Sequence, residues 1–172
     1  MDVLRRPENY SKEDINRLIG LSPLLADARN LSIENDAIDF ICSNNTFEHI
    51  PREILSAILL EFKRVLHPKG MMSHFIDMSD HFAHFDSSIT IYNFLKFSKK
   101  NWSLLDNSIQ PQNRLRFRDY LEMYQLCELP VSREEIRKGS LEELGKVKVH
   151  AEFSGYTPQE LAISHAYIIS HG

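Results

Sequence analysis

The stretch from residue 37 to residue 77 constrains the fold more than any other part of the chain. Ala37-Ile38-Asp39-Phe40-Ile41-Cys42-Ser43 is a nearly continuous apolar run. That is the pattern of a strand buried on both faces, as in a parallel sheet. A polar loop follows, Asn44-Asn45-Thr46-Phe47-Glu48-His49. Pro51 then stands where a helix would begin, a position at which its missing N–H costs nothing. Ile54, Leu55, Ile58, Leu59, Phe62, Val65 and Leu66 recur at helical spacing. Lys63, Arg64 and His67 suit the negative end of the helix dipole, and Pro68 and Gly70 are read as the helix stop. Met71-Met72-Ser73-His74-Phe75-Ile76 forms a second strand. Strand, helix and strand in this order make a right-handed crossover. Residues 38–43 and 71–76 are therefore expected to be adjacent parallel strands, joined by a helix over about 52–66, and the chain falls in the α/β class.

The rest of the chain is less regular. Ser11 is expected to cap a short helix carrying Ile15, Leu18 and Ile19. Leu24-Leu25-Ala26, ending at Asp27, is read as a short buried strand. Residues 81–115 form an irregular, aromatic-rich insertion, with Phe82, Phe85, Tyr92, Phe94, Phe97 and Trp102 more suited to a core than to a sugar platform. Ser98 can cap a helix over 99–106. Asp119 to Leu126 reads as helix, Val131 as the start of a strand, and Ser140 to Leu144 as a helical turn. The run Leu161–Ser170 reads as a last strand, with Ala166, Ile168 and Ile169 in the core. Arg114, Arg116 and Arg118 alternate and are expected to be mostly solvated, one of them suited to a substrate phosphate or carboxylate. At 172 residues, with no internal repeat, the chain is read as a single domain over 1–172.

Composition excludes several functions. Hydrophobic residues make up 42% and charged residues 26%, the balance of a globular protein. No apolar run approaches the roughly 20 residues that a membrane span needs, and the polar N-terminus does not resemble a secretory signal. Cys42 and Cys127 are far apart and form no CxxC, which fits a reduced, cytoplasmic protein. A net charge of -4 argues against nucleic acid as partner.

Open α/β sheets bind ligands outside the carboxyl ends of their strands. Two such ends are legible here, Asn44 to His49 and Asp77-Met78-Ser79-Asp80-His81. His81 is the first candidate for a general base and His49 the second, with Asp77 or Asp80 orienting the imidazole. Glu48 and His49 also fit an ordinary helix start, and His74 a core histidine. His81 and His84, with Asp77, Asp80 and Asp86, form a compact polar cluster whose spacing matches no familiar zinc site. No metal is assigned, and a metal-dependent hydrolase built on that cluster is kept as an alternative.

Four runs resemble the class I S-adenosylmethionine-dependent methyltransferases in order and spacing. They are Leu25-Ala26-Asp27-Ala28-Arg29-Asn30-Leu31, Asn35-Asp36-Ala37-Ile38-Asp39-Phe40-Ile41, Phe47-Glu48-His49-Ile50 and Phe62-Lys63-Arg64-Val65-Leu66-His67-Pro68-Lys69-Gly70. Together they cover roughly residues 24–77. The later runs HFIDMSDHFAHFDSSITIYNFLKFS and LAISHAYIIS resemble a branch associated with saccharide or cell-surface polymer biosynthesis. The resemblance implies an incomplete doubly wound, mostly parallel sheet of the Rossmann-like type. It implies S-adenosylmethionine as cofactor and methyl transfer to a small-molecule or saccharide-linked acceptor. Asp27 then accepts from the adenine amino group, and the Ala28 backbone N–H reaches an adenine ring nitrogen. Asn44 and Asn45 stand beside the methionine part, and Phe47 is grouped with these cofactor-binding residues. Some relatives hold a divalent metal through Glu-x-x-Glu-His. Asn45 replaces the first Glu, so that metal is not carried over.

The family's first motif, a strand ending in a Gly-rich turn, has no counterpart. The six glycines, Gly20, Gly70, Gly139, Gly145, Gly155 and Gly172, include no GxG. The chain is therefore expected to be the carboxyl part of a methyltransferase domain. It should hold the cofactor weakly and self-associate through the apolar surface around 38–43. A non-catalytic remnant serving as a protein-interaction module is the alternative.

Overall fold

The computed structural model describes residues 5–106 and 111–172. Residues 107–110, inside the expected insertion, lie outside the described residues. The β-α-β unit forms as its periodicity requires: β1 is Ile38–Asn44, α2 is Arg52–Val65 and β2 is Leu66–Asp77, after a short α1, Lys12–Ile19. β1 and β2 pair in parallel, with Ile41 opposite Met72 and Asn44 opposite Phe75. α2 buries Leu55, Ile58, Leu59 and Val65 on one stripe. Pro68 and Gly70 do not stop it. Leu66 is already extended and β2 begins there, so both residues lie within the strand. At Gly70 a Cβ would stand 2.8 Å from both the His67 carbonyl oxygen and the Leu66 side chain, which is why this irregular part of β2, where the register with β1 shifts, takes glycine.

Two later strands complete the sheet, β3 over Val131–Arg137 and β4 over His165–His171, in the order β1-β2-β4-β3. β4 is antiparallel to both β2 and β3. Three strands thus share one direction and β4 runs against them, a mixed sheet with one parallel and two antiparallel pairings. α4, Phe117–Leu126, covers the same face as α2. Met72, Ile76, Ala166 and Ile168 from the sheet meet Leu55, Leu59, Tyr120, Met123 and Tyr124 from the two helices in one core.

β1 was expected to be buried on both faces. It is instead the edge strand of the described sheet, and Phe40 is 52% exposed. Leu24-Leu25-Ala26 is not a strand, and Leu24 and Leu25 are exposed. Too few apolar partners lie nearby to bury them. The segment ahead of β1 is tied down instead by polar bonds. Arg64 donates to the Leu31 and Ile33 carbonyls and to Asn35, and Leu31 N donates to Glu61.

Capping chemistry sets the remaining helices. Ser11 accepts from Asp14 N at the start of α1, Ser98 from Asn101 N before α3 (Lys99–Leu105), and Ser140 from Glu143 N before α5 (Leu141–Gly145). The expected strand over 161–170 divides in two. Thr157 and Glu160 form a capping box for α6, Pro158–Ala162, and β4 starts only at His165. The aromatic insertion makes a second core, in which Tyr92, Phe94, Leu95 and Trp102 pack with Leu144, Phe153 and Leu161.

The arginines depart most from expectation. Arg116 is fully buried and donates to the Met78 carbonyl at 2.7 Å, the Leu161 carbonyl at 3.0 Å and the Ile163 carbonyl. Arg114 is also largely covered, bonded to the Phe97 carbonyl and near Glu152. Of the three, Arg118 alone keeps a 40% exposed side chain. No helix among the described residues is long and apolar enough to cross a membrane.

Candidate functional site

The parallel register of β1 and β2 brings their carboxyl ends side by side. After β1 the chain turns sharply at Asn45, whose φ is 49°, and Asn45 N donates to the Phe75 carbonyl at 3.1 Å. The turn Phe47–His49 then distributes three side chains differently. Phe47 points into the core and stacks on His74 at 4.2 Å between ring centroids, so its side chain is a core group rather than a cofactor-facing one. Glu48 is 1% exposed, and neither carboxylate oxygen has a hydrogen-bond partner. Burial pushes its pKa up to about 7, with the Asp77 charge adding to the effect.

His49 is half-buried, and its Nδ1 lies 2.8 Å from the Pro111 carbonyl oxygen. A carbonyl only accepts, so Nδ1 carries the proton and Nε2 keeps its lone pair. The His49 ring lies 5.1 Å from that of His81. It also lines a cavity of about 570 Å³ shared with Arg52, Lys99, Trp102, Gln112 and Arg114.

β2 ends at Asp77, which is buried. Its Oδ1 accepts from Ser79 N at 2.8 Å. Burial raises its pKa, but His81, Ser79 and the nearby His165 outweigh burial and hold it at about 2. His81 Nε2 stands 3.6 Å from Asp77 Oδ2, and this carboxylate raises the imidazole pKa against the opposing effect of burial. Gln112 props the turn from below: its Oε1 accepts from His81 N at 3.3 Å and its amide donates to the Ser79 carbonyl.

Asp80 does not orient His81. It is fully buried and caps the turn His81–His84 through Phe82 N at 2.9 Å, while Asn93 donates to its other oxygen at 3.3 Å. Burial raises its pKa. Asp77 is thus the orienting carboxylate, and Asp80 holds the backbone.

The cofactor side expected from the sequence is open. Asp27 and Ala28 lie between α1 and β1, outside regular structure. Arg29 grips both Asp27 oxygens, Nη2 at 2.6 Å and Nε at 3.0 and 3.1 Å, and holds the carboxyl down at about 2. Asn44 and Asn45 are exposed. The structure therefore unites His49, Glu48, Asp77 and His81, and leaves Phe47 and Asp80 out of the site.

Three members were not assigned from the sequence. Glu48 reads there as part of a helix start. Gln112 carries no motif. His165 lies inside the last apolar run, and only the β2–β4 register, which sets it opposite Asp77, reveals it.

Residues 5–73 match the family described as Methyltransferase domain. No curated protein sequence matches the chain. Among solved structures, the PH0226 protein of Pyrococcus horikoshii OT3 superposes with a TM-score of 0.58 at 16% identity, over 99% of this chain and 66% of that one. A sarcosine dimethylglycine methyltransferase from Galdieria sulphuraria gives 0.56 at 18% identity, over 92% and 63%. Geranyl diphosphate C-methyltransferase from Streptomyces coelicolor A3(2), in complex with S-adenosyl-L-homocysteine, gives 0.56 at 9% identity, over 92% and 57%. The chain thus spans less than two thirds of the length of these structures. Over residues 5–73 the sequence is similar to a methyltransferase domain, and the fold is that of the class I methyltransferase structures it superposes on.

Proposed function

We propose that this chain supplies the acceptor side of a cytoplasmic S-adenosylmethionine-dependent methyltransferase acting on a small-molecule or saccharide-linked acceptor. One observation carries the reading. Within a methyltransferase fold, His49 and the Asp77–His81 pair converge at the carboxyl ends of β1 and β2, where open α/β sheets bind ligands.

The fit to the cofactor is partial. Asp27 and Ala28 would hold its adenine edge, and Asn44 and Asn45 its amino-acid end. Asp27 must then share an oxygen now held by Arg29. The wall that a Gly-rich turn provides in the family is not among the described residues. The bound cofactor supplies an activated methyl on a sulfonium.

The chain's own residues align the acceptor and take its proton. His49 Nε2 is the base, because the Pro111 carbonyl fixes Nδ1 as the protonated nitrogen. His81 ranked first on sequence grounds. Its Nε2 is turned to Asp77, which raises the imidazole pKa and favours a ring that already carries its second proton. The cavity beside His49 brings Trp102 as an apolar wall and Lys99 as a cation toward the acceptor, and holding the acceptor there is the larger part of the catalytic effect. β1 leaves one edge unpaired among the described residues, and we infer that copies of the chain associate through it.

The cofactor reading is tested by titrating S-adenosylhomocysteine into the isotope-labelled chain and following its backbone amides. Millimolar ligand should move the amides of residues 27–30 and 43–46. Asp27→Ala should weaken the effect about ten- to a hundredfold, the loss of one charge-assisted hydrogen bond. Shifts confined to other parts of the chain, or none at millimolar ligand, would overturn the reading.

A further inference from the structure

Asp77 is surrounded by three imidazoles from two parts of the chain. His81 and His84 sit on the turn that follows β2. His165 opens β4 and pairs with Asp77 in the antiparallel register. All three present Nε2. His81 and His84 approach Oδ2 to 3.6 and 3.9 Å, and His165 approaches Oδ1 to 3.4 Å. Donor atoms of Asp77, His81 and His84 all lie within 4.8 Å of one another. These separations are long for a charge-assisted hydrogen bond, about 2.7–2.9 Å. They are close to the edge of a zinc tetrahedron, about 3.4 Å for bonds of about 2.0–2.1 Å.

His165 serves the other oxygen: its Nε2 faces Asp77 Oδ1 at 3.4 Å, where Ser79 N also donates, and its Nδ1 lies 3.0 Å from Ser164 Oγ. Oδ2 is thereby left to His81 and His84. Beside the cluster, Glu48 is buried with neither oxygen hydrogen-bonded, and it lies within ligand distance of His81. Asp80 and Asp86 take no part, since both are occupied by backbone N–H groups of their own turns.

We propose that Asp77, His81 and His84 bind one first-row divalent cation, with zinc the best match to two imidazoles and a carboxylate and solvent completing its four positions. The cation clamps the turn after β2 to the β2–β4 ladder and so fixes the wall against which His49 packs. The sequence places these three residues in a larger polar cluster with Asp80 and Asp86, whose spacing matches no familiar zinc site; the fold separates the three from the other two. The proposal does not depend on the methyl-transfer reading.

The test is calorimetric titration of zinc chloride into the full chain after removal of metal by a chelator. One ion per chain should bind with micromolar or tighter affinity. His84→Ala, at a side chain 56% exposed and hence without structural cost, should weaken binding at least tenfold, and His81→Ala should do the same. His171→Ala, at the exposed far end of β4, should bind as the parent does. Cobalt should give the intense visible absorption of a four-coordinate ion in the parent and lose it in His84→Ala. Absence of stoichiometric zinc binding would overturn the proposal. So would parent-like binding by His84→Ala or His81→Ala, or an equal loss in His171→Ala. None of these readouts uses methyl transfer, so a failure of the activity leaves the metal result standing.

Discussion

Acidification should destabilise this protein through His74. The ring is fully buried in β2, stacked on Phe47 at 4.2 Å and with Phe62 at 6.0 Å. Its Nδ1 lies 2.7 Å from Ser43 Oγ, and its Nε2 has no partner. A second ring proton would place a charge and an unsatisfied N–H in this apolar setting, and burial accordingly lowers the pKa to about 4 from 6.5. Above the unfolded value both states are neutral at this ring, and pH has no leverage through it. Between that value and about 4 the unfolded chain takes up a proton that the folded chain refuses, so stability falls as pH falls. The drop levels off below the folded pKa. A gap of this size corresponds to about 3 kcal/mol.

His74→Leu keeps the apolar stack and removes the titration, at the cost of the Ser43 bond, about 1 kcal/mol. Urea unfolding of parent and variant from pH 7.5 to pH 4 gives the difference directly. Groups that titrate in both proteins, His81 and Glu48 among them, cancel in it. The parent should lose about 3 kcal/mol relative to the variant across the range. A difference that stays flat with pH would refute the reasoning.

Two further outcomes follow from the packing. Arg116→Ala strips partners from the buried carbonyls of Met78, Leu161 and Ile163 and should cost about 3–5 kcal/mol in urea unfolding, with Arg116→Lys recovering little because a single ammonium nitrogen cannot stand where both Nη1 and Nη2 stand; a cost under about 1 kcal/mol would mean the fork is not structural. Phe40→Lys places a charge on the exposed edge strand and should shift sedimentation toward the monomer; an unchanged distribution would place self-association elsewhere.

The β-α-β unit was legible because helical and strand periods are local properties of the sequence. The caps at Ser11, Ser98 and Ser140 were legible for the same reason. Burial of β1 was not, since a continuous apolar run reports a strand's affinity for neighbours and not their presence. The boundary before β4 was missed although its signal was there: Thr157-Pro158-Gln159-Glu160 is a capping box with proline at the first helical position. Arg116 could not have been placed from spacing, because its three acceptors are Met78, just after β2, Leu161, within α6, and Ile163, just after α6. At the site, His49 and the Asp77–His81 pair were named because they follow strand ends. Asp80 was misassigned because a carboxylate one residue before a histidine looks like its partner, whereas the turn takes it as a cap. His165 and Gln112 required the tertiary register.

On the proposed function, the rim at the carboxyl ends of β1 and β2 is a methyl-transfer site with His49 as its base. The most direct measurement follows tritium from the methyl group of S-adenosylmethionine, supplied at millimolar concentration to offset weak binding, into a pool of small hydroxyl-bearing and saccharide-linked acceptors. The parent chain should transfer label slowly. His49→Ala should lower the rate about a hundredfold or more, the contribution of a positioned general base, without changing the amide shifts caused by S-adenosylhomocysteine. No transfer by the parent, or equal transfer by parent and His49→Ala, would contradict the claim.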